Sequence, residues 1–280
     1  MASGALAAIV VGGSVPVTGL LEHYPVLSGQ AIRYAIGTAV LYTWLRCKGR
    51  RLRRPTPRDL LGIAGMVVFG MLGFNAAQLA AQRFAAPGFV AAMLGGTPLF
   101  LALLAPALRG RRPALSALLG AVVVVTGVVV LSGGGSWHGP GLVLSLLVLL
   151  GEVLFTVSGA GVTTRLGVLE ACVLACLAAT VAAAVSGTVI DGRAAWPVPT
   201  ATEAIALLIL GVLVTAVAFC AWYTSVTVLG ADRAGVLVGL MPLSGLAVAV
   251  LVGAQPVTLV GVGGALLVGT GCVIGLRRSS

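Results

Sequence analysis

Apolar residues run through this chain in stretches of about twenty, separated by short polar or basic gaps, and that rhythm sets the secondary structure. A helix rises 1.5 Å per residue, so about 20 residues span about 30 Å of hydrocarbon. Ten such stretches are present, at 4–21, 28–46, 60–81, 88–108, 115–132, 139–160, 167–189, 203–226, 233–252 and 257–276. The gaps are too short for a soluble domain, so backbone polar groups have to be satisfied inside helices. The stretch 115–132 holds four consecutive valines, which would favour a strand in water. In hydrocarbon an isolated strand leaves its ladder groups unpaired, and helix is expected there too. The first stretch begins almost at Met1 with no basic leader and no small-residue cleavage site, and reads as a retained helix. The expected fold is an all-α polytopic membrane protein of ten transmembrane helices.

The pattern also repeats. A constant offset of 144 residues, with no gap inserted, sets Ala77, Gly95, Pro98, Leu99 and Ala105 on Ala221, Gly239, Pro242, Leu243 and Ala249. It then carries Gly120, Ala121, Thr126 and Gly127 onto Gly264, Ala265, Thr270 and Gly271. One offset through three helices and two loops indicates internal duplication. Each copy holds five spans, an odd number, so the second copy enters the membrane from the opposite face. The expectation is two inverted five-helix repeats, 1–132 and 139–280, joined by an external linker at 133–138.

Composition and charge fix the setting. Only 9% of the 280 residues are charged and 59% are hydrophobic, far from the roughly one-quarter charge of a soluble domain. The net charge of +10 could suggest nucleic acid, but the basic residues sit in gaps between apolar runs. Of the 17 Lys and Arg, 14 fall on one side: the cluster from Arg46 to Arg58, Arg109 to Arg112, Arg165, Arg233, Arg277 and Arg278. Arg83 and Arg193 fall on the other, and Arg33 lies inside a span. The positive-inside rule then puts both termini in the cytoplasm of a multi-pass inner-membrane protein. The five cysteines form neither a metal spacing nor a disulfide framework.

Ten spans in two five-helix copies, Arg33-Tyr34 in the second helix, and a small-residue helix carrying a proline after a short break in each half resemble the EamA-type branch of the drug/metabolite transporter superfamily. The resemblance covers essentially the whole chain. It implies a secondary transporter or exporter of small metabolites, often amino acids or related compounds, with a central cavity between the halves. It also implies that the fifth and tenth helices lie toward the outside. The chain departs from the commonest pattern in having no tryptophan in the first helix, where Gly12, Gly13, Ser14 and Pro16 stand.

Polar residues inside spans are the candidates for the transport site. Glu152 lies about 18 Å from the external end of the sixth helix, near the midplane, where a carboxylate costs about 3 kcal/mol without a partner or wet cavity. Its uses are a cation or proton site, an anchor for a substrate ammonium, or a structural pair. Arg33 lies near the external end of the second helix, placed to meet a substrate carboxylate or to pair with Glu22 and His23. Glu170, near the cytoplasmic start of the seventh helix, reads as an exposed interfacial residue. Asn75, Gln78 and Gln82 share one stripe of the third helix, and the offset pairs Gln78 with Trp222 and Leu79 with Tyr223. These residues line a substrate path or bind helix to helix. Pro98 and Pro242, each about ten residues into its helix, are expected to bend it and turn a freed carbonyl toward the cavity.

The expected function is therefore a secondary transporter, more an exporter than an importer, working by alternating access on a small amphipathic metabolite. The partners are that metabolite and the bilayer, with a proton as coupling ion and a homodimer both open. A channel is the alternative, though no repeated filter or charged ring is present. A membrane-embedded enzyme is less favoured, for want of a His/Asp/Glu constellation. The Gly-rich segment at 132–136 has no lysine and no phosphate-loop context, so no nucleotide, metal or cofactor is implied.

Overall fold

The computed structural model describes residues 1–85, 87–108, 110, 112–132, 136–251 and 258–276. Among them the helices fall into ten runs: α1 (Ala2–Gly19), α2 (Val26–Cys47), α3 (Pro57–Ala81), α4 (Pro87–Leu94 and Thr97–Ala107) and α5 (Leu115–Ser132), followed by α6 (Gly141–Leu166), α7 (Val168–Asp191), α8 (Ala201–Leu229), α9 (231–251) and α10 (Leu259–Leu276). Arg109, Arg111, Arg277, Arg278 and the glycines at 133–135 lie outside the described residues. Six runs, α1, α3, α6, α7, α8 and α10, are long and apolar enough to cross a membrane, and Thr97–Ala107 and Leu115–Leu131 are shorter apolar helices. α2 is long enough but carries Ser28, Gln30, Arg33 and Thr38 along its length. Large side chains such as Leu61, Val189 and Leu259 are exposed, an apolar surface that suits lipid contact.

The 144-residue offset reappears in the elements. Leu115–Ser132 and Leu259–Leu276 are helices of 18 residues whose bounds lie 144 residues apart. Both α3 and α8 open with a capping box. Thr56 accepts from the Asp59 backbone N–H while the Asp59 carboxylate accepts from the Thr56 N–H at 3.0 Å. Thr200 and Glu203 repeat the arrangement at 2.7 Å. Each box satisfies two backbone donors that a helix start otherwise leaves unpaired. Both helices then widen into π-helix, at Met66–Leu72 and Leu210–Ala218, beginning at equivalent positions.

The prolines act differently from the expectation. α4 breaks at Gly95 and Gly96, and Pro98 is the second residue of the segment that restarts at Thr97. There its missing N–H removes nothing, because first-turn donors have no intrahelical partner. In α9 a 3₁₀ turn at Leu237–Gly239 precedes the segment Leu240–Leu251, of which Pro242 is the third residue. The irregular backbone therefore lies immediately before each proline, and each proline stands in the first turn of the segment that follows.

Helix packing relies on small residues. α5 and α10 run antiparallel in direct backbone contact: Gly120 faces Gly271 and Gly275, while Gly127 faces Gly264 and Val268. Lipid offers no hydrophobic drive for this pairing, so close approach supplies the attraction. The main core gathers Leu41, Met66, Val162, Cys172, Cys176 and Tyr223 from α2, α3, α6, α7 and α8. Connections meet on two faces. On one, Arg50 after α2 pairs with Glu170 of α7 at 3.0 Å, and Arg165 of α6 pairs with Asp59 of α3 at 2.5 Å. On the other, Tyr24 donates to the Pro197 carbonyl at 3.0 Å, and the His138 N–H donates to the Phe84 carbonyl at 2.9 Å.

The α5–α10 contact predicts a sharp asymmetry between glycines. A side chain at Gly127 would overlap the Gly264 carbonyl and Val268, whereas one at Gly263 on α10 would meet nothing within 4 Å. Gly127→Leu should cost about 1–3 kcal/mol by overpacking and Gly263→Leu close to nothing. Unfolding midpoints of the purified variants in one detergent measure the difference, and equal midpoints would contradict the packing account.

Candidate functional site

Polar side chains converge on one cavity of about 630 Å³. Its walls come from α1, α2, α3, α6 and α8, with Met241 of α9 at one side. Leu21, Glu22, Tyr24 and Pro25 of the connection between α1 and α2 stand at its mouth, so it opens away from the two Arg–carboxylate pairs. The π-helices face it: Gly70 and Met71 from one, Leu210, Val214 and Thr215 from the other. A π turn inserts an extra residue and frees backbone acceptors, which suits a polar cavity wall and not a lipid face.

Six of the candidate residues line this cavity together: Arg33, Asn75, Gln78, Gln82, Glu152 and Trp222. Glu152 is half-buried, and among the described residues its carboxylate makes no ion pair or hydrogen bond. Arg33 does not pair with Glu22. Its Nε donates to Thr215 Oγ1 of α8 at 2.8 Å, and its guanidinium carbon lies 5.6 Å from the Tyr34 ring centre. Glu22 instead meets His23 at 3.4 Å, both well exposed, because the chain turns at the end of α1 and carries them toward solvent. Asn75 serves both expected roles: it lines the cavity, and it links α3 to α2 by accepting from Gln30 Nε2 at 3.4 Å.

Three candidates lie elsewhere. Tyr223 is fully buried behind the wall, since successive residues on a helix point about 100° apart and Trp222 takes the inward direction. The Tyr223 hydroxyl donates to the Phe155 carbonyl at 2.7 Å, and its ring meets Phe155 and Phe219 edge-on at 5.4 and 5.3 Å. Phe155 and Phe219 stack at 5.5 Å and line the cavity with Tyr223 bracing them. Pro98 and Pro242 are not among the lining residues, although Met241 beside Pro242 is.

Several parts escaped the sequence reading. Gln30, one turn before Arg33 on α2, lines the cavity. Glu170 is not interfacial but buried, with 1% of its side chain exposed, and held by Arg50. Asp59 is equally buried under Arg165. The Thr56-x-x-Asp59 and Thr200-x-x-Glu203 spacings were legible as capping boxes, but nothing in the chain announced that Asp59 would also reach across to α6.

Comparison with known proteins agrees with this architecture. A model of the EamA-like transporter family matches twice, over residues 1–133 and 139–277. A curated relative, an uncharacterized transporter named YetK from Bacillus subtilis (strain 168), is 24% identical over 279 residues, covering 97% of this chain and 83% of its own. A solved crystal structure, 23% identical, superposes with a TM-score of 0.83 over 97% of this chain and 94% of its own, and so shares the fold. With both halves matched, the chain belongs to the EamA-like transporter family.

Proposed function

We propose that this membrane transporter is a secondary carrier that moves a small zwitterionic or amphipathic metabolite, preferentially outward, by alternating access. The observation that carries the reading is a cavity reached by the α1–α2 connection at one end, whose wall holds Arg33 and Glu152 without an ion-pair partner among the described residues. A guanidinium suits a carboxylate and a lone carboxylate suits an ammonium or a proton. Closure at the opposite face supports a carrier over a continuous pore. Ten spans, two inverted units at 1–132 and 139–280 joined through 133–138, and both termini on the cytoplasmic side of the inner membrane complete the proposal. The antiparallel course of α5 against α10 supports inversion, as does that of α2 against α7, where Gly187 meets Leu27 and Arg50 meets Glu170. The positive-inside rule makes the Arg50–Glu170 face cytoplasmic, so the cavity is outward-open.

In this reading the two cytoplasmic ion pairs are the closed gate. Asp59 and Glu170 are buried while Arg165 and Arg50 are about half exposed, so removing an arginine strands a buried carboxylate. The repeat tells what opens when the gate yields. Gln82 and Gly29 line the present cavity, and their counterparts one copy on, Val226 and Val173, are 2% and 1% exposed. Exchange of the two halves' conformations would uncover those positions from the cytoplasmic face.

Two outcomes test this. In a cysteine-free background, Val226→Cys should resist a polar maleimide in the otherwise native protein and react at least about fivefold faster once Arg50→Gln and Arg165→Gln are added. Unchanged labelling would remove the gate from the mechanism. Separately, Glu152→Gln keeps the side chain's size while deleting its charge. In proteoliposomes loaded with candidate zwitterions it should lower proton-driven flux by about tenfold or more and flatten its pH dependence. Native flux with a native pH profile would reject Glu152 as the coupling group.

A further inference from the structure

Gln30 presents an orientation that its neighbours dictate. The Met71 carbonyl, in the π-helix of α3, accepts from the Tyr34 hydroxyl at 3.1 Å and from the Asn75 side-chain amide nitrogen. A carbonyl only accepts, so the nitrogen end of Asn75 has to face Met71 and the Asn75 oxygen is left to receive. That oxygen takes the Gln30 Nε2 at 3.4 Å. The Gln30 amide is thereby turned with its oxygen as the free end, and Gln30 Oε1 is buried with no hydrogen-bond partner. A buried acceptor left unsatisfied is destabilising, so a ligand that supplies the missing donor is favoured.

Position makes the acceptor selective. Gln30 and Arg33 both line the cavity and are three apart on one helix, which sets their side chains about 5–6 Å apart at their bases. In an α-amino acid the ammonium and carboxylate share a single carbon, so the groups that receive them have to be neighbours. Resting on the transporter reading above, we infer that Gln30 is a specificity-determining residue. Its oxygen accepts an N–H from the substrate's α-ammonium while Arg33 takes the carboxylate, and Asn75 is the positioning residue that holds the Gln30 amide with its oxygen as the unpaired end. Glu152, on α6, is then free to exchange protons without being occupied by the same ammonium.

The discriminating probe keeps the charge and removes the donor. Leucine, phenylalanine and lysine would be compared with their α-N,N,N-trimethyl derivatives in equilibrium binding to the full-length protein in nanodiscs. The native protein should bind the parent amino acid about tenfold or more tighter than the trimethyl form. Gln30→Leu should bring the two within about twofold, and so should Asn75→Leu, which leaves Gln30 in place but free to flip. Glu152→Gln should keep the tenfold preference. Equal binding of both forms by the native protein, a preference that survives Gln30→Leu, or its loss in Glu152→Gln would each overturn the assignment. Failure of all three amino acids to bind, with no saturable flux, would instead overturn the transporter reading of the cavity and this assignment with it.

Discussion

Hydrocarbon gives the chain no water with which to satisfy a backbone or side-chain polar group, and that one constraint decides where irregularity and polarity are allowed. Regular helix is the default because it closes every N–H and C=O within its own segment. The departures are the π-helices at Met66–Leu72 and Leu210–Ala218, the glycine break before Pro98 and the 3₁₀ turn before Pro242. Both π-helices face the cavity. Met71 shows why this is affordable: its carbonyl is re-satisfied at once by Tyr34 and Asn75. A widened turn facing lipid would have no such donors.

The same constraint made the fold legible. Each apolar stretch is helical among the described residues, six of the runs being long and apolar enough to cross a membrane, and α5 falls at the expected boundaries because it is bounded by clear polar gaps. α6 was misjudged at its C-terminal end, which continues through Thr163, Thr164 and Arg165 to Leu166. Those hydroxyls bond back to carbonyls three or four residues earlier, satisfying themselves on the helix, so a polar run that resembled a loop extends it. The prolines follow the same logic. Sequence gives a proline's distance along an apolar run but not where the helix restarts, and the restart at Thr97 puts Pro98 in a first turn, where its missing N–H frees no carbonyl.

The site was legible in its charged and amide members and opaque in its directions. Arg33, Asn75, Gln78, Gln82 and Glu152 stood out because polar groups in hydrocarbon need a reason, and all of them reach the cavity. Trp222 and Tyr223 could not be separated by an offset that carries position but not helical phase. Glu170 was misplaced because exposure at a helix start depends on what folds over it. Arg50 reaches it from a connection that sequence distance puts 120 residues away. Gln30 passed unnoticed because its significance comes from an orientation fixed by Asn75, and orientation is a property of the assembled network.

Duplication then sharpens the question of what differs between the halves. Asp59 and Glu203 are equivalent capping carboxylates, but Asp59 holds Arg165 whereas the residue equivalent to Arg165 is Leu21. Glu203 is exposed, its carboxylate accepts from Thr200, and among the described residues no arginine pairs with it. Glu170 likewise holds Arg50, while its counterpart is Val26 and that of Arg50 is Ala194. The capping boxes and π-helices recur at the 144-residue offset, and the ion pairs do not. In the carrier we propose, a pair between a buried carboxylate and a half-exposed arginine would have to be broken and remade with each opening, whereas an apolar contact would not. On that proposal, such pairs on a single face would bias which side stays closed at rest. The direction of the bias would then rest on four side chains, Arg50, Asp59, Arg165 and Glu170, and not on the backbone that the two halves have in common.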